Sequence, residues 1–95
     1  YFSRFPIPFN RDMAKEDWIK HTDYYQHIGL YGFKRNILEK CGVLKASTLE
    51  NTEKLEQLRW MENGMKIKVG TTNQPSFGVD TLEDLGNARK KYASI

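Results

Sequence analysis

STLENTEKLEQLRWMENGMKIKVG, residues 47–70, is the stretch whose reading decides the fold. Its first two thirds follow helical grammar. Ser47 with Glu50 three residues later is a capping box, in which hydroxyl and carboxylate satisfy the orphan N–H groups of a first turn. Leu55, Leu58 and Met61 recur at a spacing that gathers them on one face, and Gly64 stands where a left-handed residue ends a helix. A helix is expected over 48–63. The period then changes: Ile67 and Val69 alternate with Lys66, Lys68 and Gly70, which predicts a strand over 66–71 with one buried face.

Working outward, residues 34–41 form a short helix on the apolar side Ile37, Leu38 and Cys41, with Gly42 as its stop. Residues 24–33 read as a strand that puts His27, Gly29, Tyr31 and Phe33 on one face and Ile28 and Leu30 on the other. At about 3.3 Å per residue, His27 and Tyr31 stand some 13 Å apart in such a strand. A further short strand is expected at 1–4. Pro6 and Pro8 withhold ladder donors and keep the chain extended as an edge segment through Phe9, and 10–23 is a polar connection. Beyond the loop 72–78, Thr81 caps a last helix that turns Leu82, Leu85, Ala88 and Tyr92 toward the core. The order strand, strand, helix, helix, strand, helix is that of an α/β layer arrangement.

Ninety-five residues allow one domain at most and little autonomous core. The 15 basic residues are interleaved with 12 acidic ones, and the one contiguous basic cluster is Arg89, Lys90 and Lys91, so the net charge of +3 does not mark a nucleic-acid surface. No apolar run is long enough to span a bilayer and no leader is legible, so no membrane partner is expected. A single cysteine, Cys41, suits a reducing compartment, and the expected location is cytoplasmic. The chain opens on Tyr1 in an already patterned stretch, which reads as part of something longer. It holds no zinc-ligand cluster, no Walker or dinucleotide glycine loop and no nucleophile elbow. What remains are polar residues at element ends, where ligand sites of α/β sheets form.

Four segments in order resemble the CMP-KDO synthetases (3-deoxy-manno-octulosonate cytidylyltransferases): YFSRFPIPFNRD at 1–12, HIGLYGF at 27–33, LENTEKLEQLR at 49–59 and GVDTLEDL at 78–85. The resemblance implies the carboxy-terminal part of a nucleotide-diphospho-sugar transferase-like, Rossmann-like fold, with a partial mixed sheet and flanking helices. It also implies an enzyme that joins CTP to the acid sugar KDO with release of pyrophosphate, for lipopolysaccharide synthesis. The whole of 1–95 is then the KDO-binding and dimerisation portion of a homodimeric cytidylyltransferase. The amino-terminal half, with its basic glycine-rich loop for the CTP phosphates, is expected to lie outside it. Activation of another acid sugar such as sialic acid, or a non-catalytic dimerisation module, remains open at this point.

Residue by residue, the resemblance puts His27, Tyr31, Glu56 and Gln57 in the sugar pocket and makes Asp80 a ligand of a magnesium ion. Glu56 and Gln57 supply acceptors and an amide donor suited to a ligand rich in hydroxyls. Arg4 carries a guanidinium able to grip the KDO carboxylate at two points. Each has a plainer reading beside it: a packed histidine and tyrosine, a solvated Glu-Gln pair, a surface ion pair at Arg4, and helix-start chemistry at Asp80. Arg11 and Arg59 read as structural ion-pair partners. Phe5, Ile7 and Phe9 form an apolar arm and the candidate contact for a second subunit.

Overall fold

A computed structural model describes residues 1–93. A short 3-10 turn, Lys15–Asp17, runs into helix α1 (Trp18–His21); α2 (Arg35–Gly42), α3 (Thr48–Glu53), α4 (Gln57–Glu62) and α5 (Leu82–Tyr92) follow. No strand occurs among the described residues. The expected partial mixed sheet is therefore corrected: residues 1–4, 24–33 and 66–71 carry no ladder. The reason is elementary, since a strand exists only against a neighbour that takes up its N–H and C=O groups. Residues 24–33 also depart from a regular strand at Gly29, where the Leu30 N–H donates to the Ile28 carbonyl at 2.8 Å and closes a γ-turn.

The helix expected over 48–63 is broken in two. Lys54 adopts the left-handed conformation (φ 55°, ψ 44°), so α3 ends and α4 leaves in a new direction. For a residue with a Cβ this costs about 1 kcal/mol. The freed carbonyls explain why the break holds: Arg4 Nε donates to the Glu53 carbonyl (3.0 Å) and Arg4 Nη2 to that of Lys54 (2.6 Å). Back-to-back packing of α3 and α4 follows. Arg59 Nε donates to Glu50 Oε2 at 2.7 Å, Arg59 Nη2 bonds Glu50 Oε1, and the Leu49 N–H donates to Glu62 Oε2 at 3.2 Å. The carboxylate half of the expected capping box forms, the Ser47 N–H donating to Glu50 Oε2 at 3.1 Å, and Gly64 takes a positive φ of 78° just after α4.

The buried apolar side chains are Trp18, Cys41, Leu58 and Trp60, of which Leu58 has no exposure. Trp18 was not legible in a segment read as a polar connection. It anchors the amino-terminal arm: Phe5 and Phe9 meet its ring edge-on at 6.1 and 5.3 Å, Tyr24 stacks on it at 6.2 Å, and the Tyr24 hydroxyl donates to the Pro8 carbonyl. The Ile7–Pro8 peptide within this arm is cis. The last helix corrects another expectation. Leu82 is 88% exposed and Tyr92 about half exposed, so neither turns toward a core. Val69 is exposed as well, against the buried face expected for 66–71.

The whole is open. Its radius of gyration is 16.9 Å, against about 12 Å for a compact domain of this length. Its accessible surface of 8555 Å² compares with about 5,700 Å² for a folded monomer of this mass. A small cluster of buried residues therefore carries the tertiary structure. Leu58→Ala should lower stability by about 2–5 kcal/mol, whereas Lys54→Gly, which relieves the left-handed backbone, should raise it by up to about 1 kcal/mol. Thermal unfolding followed by tryptophan fluorescence measures both.

Candidate functional site

His27 and Tyr31 meet through their side chains: the rings sit 5.7 Å apart and His27 Nε2 bonds the Tyr31 hydroxyl. Neighbouring rings fix both. Phe2 meets the His27 imidazole edge-on at 5.0 Å, and Tyr31 and Phe33 meet Trp60 edge-on at 5.2 and 5.0 Å. His27 remains exposed while Tyr31 is half-buried, and burial raises the Tyr31 phenol above its ordinary value. The hydroxyl therefore stays protonated and can donate at neutral pH.

Trp60 is the link to the second pair of candidates. It is buried on α4, one turn after Glu56 and Gln57, so the His27–Tyr31 pair and the Glu56–Gln57 pair belong to one connected region. Glu56 is exposed and, with Phe33, Cys41, Arg59 and Trp60, lines a shallow cavity of about 270 Å³. Gln57 is 5% exposed, and its Nε2 has no hydrogen-bond partner among the described residues. A buried amide left so costs about 1–3 kcal/mol. Neither Phe2 nor Trp60 was singled out from the sequence, although Trp60 at i+3 from Gln57 gave a signal.

Arg4 uses its guanidinium on the carbonyls of Glu53 and Lys54, closing the carboxy-terminal end of α3. Around it, the Glu53 carboxylate accepts from the Ser3 hydroxyl (2.8 Å), the Tyr1 hydroxyl (2.9 Å) and the Arg4 N–H (3.1 Å). These bonds hold the Glu53 carboxyl below its ordinary value, with that of Ser3 leading. Arg59 pairs with Glu50 and donates to the Leu44 carbonyl, in keeping with its structural reading; Arg11 makes an exposed contact with Asp12 at 3.4 Å.

Asp80 precedes the cap of α5. Asp84 Oδ2 accepts from the N–H groups of Asp80 (3.2 Å) and Thr81 (3.0 Å), and the Asp84 N–H donates back to Thr81 Oγ1 (3.1 Å). The hydrogen bond to Thr81 leads in lowering the Asp84 carboxyl. Asp84 is thus committed to the helix start, while the Asp80 side chain is exposed and accepts no hydrogen bond among the described residues. Among those residues no group of three or more His, Cys, Asp or Glu is gathered as a metal cage.

The family profile described as cytidylyltransferase matches residues 1–67. The chain belongs to the cytidylyltransferase family. A 3-deoxy-manno-octulosonate cytidylyltransferase of Bacteroides thetaiotaomicron is 51% identical over 90 residues, covering 95% of this chain and 36% of that protein. The protein of the same name from Thermodesulfovibrio yellowstonii is 52% identical over 90 residues, with 95% and 35% covered, and that of Phocaeicola vulgatus is 50% identical over 88 residues, with 93% and 35% covered. The chain thus spans about a third of the length of these curated relatives. No solved structure matches. No helix among the described residues is long and apolar enough to cross a membrane.

Carboxylates lowered by folding contribute stability that is present above their unfolded value and lost as pH falls through the folded one. For Glu50 and Glu53, ordinarily 4.5, the loss begins below that value. Acid titration should therefore release the amino-terminal arm from α3 within the acidic range below it, and Glu53→Gln should flatten the titration. Carboxylate resonances followed by NMR check the order of events.

Proposed function

We propose that this chain is the sugar-binding portion of a 3-deoxy-manno-octulosonate cytidylyltransferase, which joins CTP and KDO into CMP-KDO with release of pyrophosphate for lipopolysaccharide synthesis in the cytoplasm. The observation that carries the reading is the roughly half identity, over nearly the whole chain, to relatives bearing that name. The local chemistry supports it. An exposed imidazole and a protonated phenol lie beside a helix shoulder that offers a carboxylate and an amide without a partner.

In the reaction, the anomeric hydroxyl of KDO attacks the α-phosphorus of CTP, the bond to the β-phosphate oxygen breaks, and pyrophosphate leaves with that electron pair. The part played by these residues is to hold the attacking sugar. His27 and Tyr31 take ring hydroxyls, Glu56 accepts from hydroxyls, and the Gln57 amide gains in the sugar an acceptor it otherwise lacks. Arg4 belongs to the proposed set through its remaining guanidinium donors, facing the sugar carboxylate.

Asp80 fits a magnesium ion as one hard oxygen ligand among several rather than as part of a protein cage, because its carboxylate is exposed and uncommitted while Asp84 is occupied. When bound, the ion would neutralise charge on the phosphates. The amino-terminal half of the complete protein binds CTP. The half-exposed Phe5 and Ile7, with Phe9 at 69%, form a subunit contact in a homodimer.

In the full-length enzyme, His27→Ala and Gln57→Ala should raise KM for KDO about tenfold while CTP affinity measured without sugar stays unchanged. Equal losses toward both substrates, with a lowered Tm, would mark these as packing residues. Asp80→Asn should reduce kcat by about two orders of magnitude with little change in Tm. Full activity of that variant across magnesium concentrations would leave Asp80 as a helix-start residue only.

A further inference from the structure

We propose that Trp60 is the positioning residue of the sugar site, setting the distance between the His27–Tyr31 pair and the Glu56–Gln57 shoulder; the inference rests on the sugar-site reading above and adds to it. The two pairs come from segments far apart in sequence, and among the described residues no hydrogen bond joins them directly. What joins them is one indole. It is 8% exposed and held on α4, and the rings of Tyr31 and Phe33 meet it at nearly the same angle, 84° and 87°. Tyr31 holds His27 through its hydroxyl, and Phe2 closes the other side of the imidazole. A displacement of Tyr31 therefore carries His27 with it.

The need for such a device follows from the backbone. Residues 24–33 have no ladder here and contain a γ-turn, so hydrogen bonding in this segment does not fix where Tyr31 stands relative to α4. Edge-to-face ring packing does, because the quadrupoles of two rings favour a definite distance and angle in a way aliphatic contact does not. Trp60 is also anchored at its own backbone: its carbonyl accepts from the N–H groups of Asn63 and Met65 as the chain leaves α4. In this reading the indole acts on the sugar through Tyr31 and His27, so its removal should act through them.

The test is a double-mutant cycle in the full-length enzyme, with KM for KDO, KM for CTP and Tm measured for each variant. Trp60→Leu should raise KM for KDO about tenfold, with kcat and KM for CTP within about twofold of wild type, and Trp60→Phe, which keeps an aromatic face, should restore most of the loss. In a His27→Ala/Tyr31→Phe background, which deletes the polar groups but keeps the packing ring, Trp60→Leu should add less than about twofold, because its effect passes through those groups. Should Trp60→Leu fail to fold, Trp60→Met takes its place in the same cycle. Multiplicative effects in that background, no rescue by Trp60→Phe, or parallel increases in both KM values would overturn the positioning role. A normal KM for KDO in His27→Ala/Tyr31→Phe would instead overturn the sugar-site reading and the positioning role with it.

Discussion

The ion pair between Glu50 and Arg59 is the constraint on which the rest of this chain depends. Without it α3 and α4 are two helices of six residues each, lengths at which isolated helices do not persist in water. Three of the Arg59 nitrogens are used, two on the Glu50 carboxylate and one on the Leu44 carbonyl. The pair is largely shielded, at 24% and 13% side-chain exposure, so salt screens it less than a surface pair. On the same helix α4, Leu58 and Trp60 are both buried.

From that closed pair of helices the remaining order spreads in two directions. At the end of α3, Glu53 and the carbonyls beside it collect Tyr1, Ser3 and Arg4, which brings the amino terminus across about fifty residues of sequence. At α4, Trp60 collects Tyr31 and Phe33 and, through Tyr31, His27. Both gatherings use groups that single contacts would hold weakly. The carboxylate takes three donors at once and the indole takes two ring edges, so each element is held by several modest interactions rather than by a deep core.

Large parts of the chain stay outside this network. Leu30, Val43 and Leu82 are each more than 80% exposed, and among the described residues no backbone ladder forms over 66–80. The curated relatives are about three times as long as this chain.

Local chemistry was legible in the sequence because its causes are local. The Glu50 bond to the Ser47 N–H, the cap at Thr81, the left-handed Gly64 and the short helix from Arg35 all depend on residues within one turn of each other. The family was legible too, since four ordered segments carry it. Tertiary structure alone decided the rest. The break at Lys54 has no glycine or proline to announce it and persists because Arg4, fifty residues away, takes the exposed carbonyls. Burial of Trp18 depends on Phe5, Phe9 and Tyr24 arriving around it. The link of His27 and Tyr31 to α4 follows from one indole, because ring contacts between distant segments leave no periodic mark on the sequence that makes them.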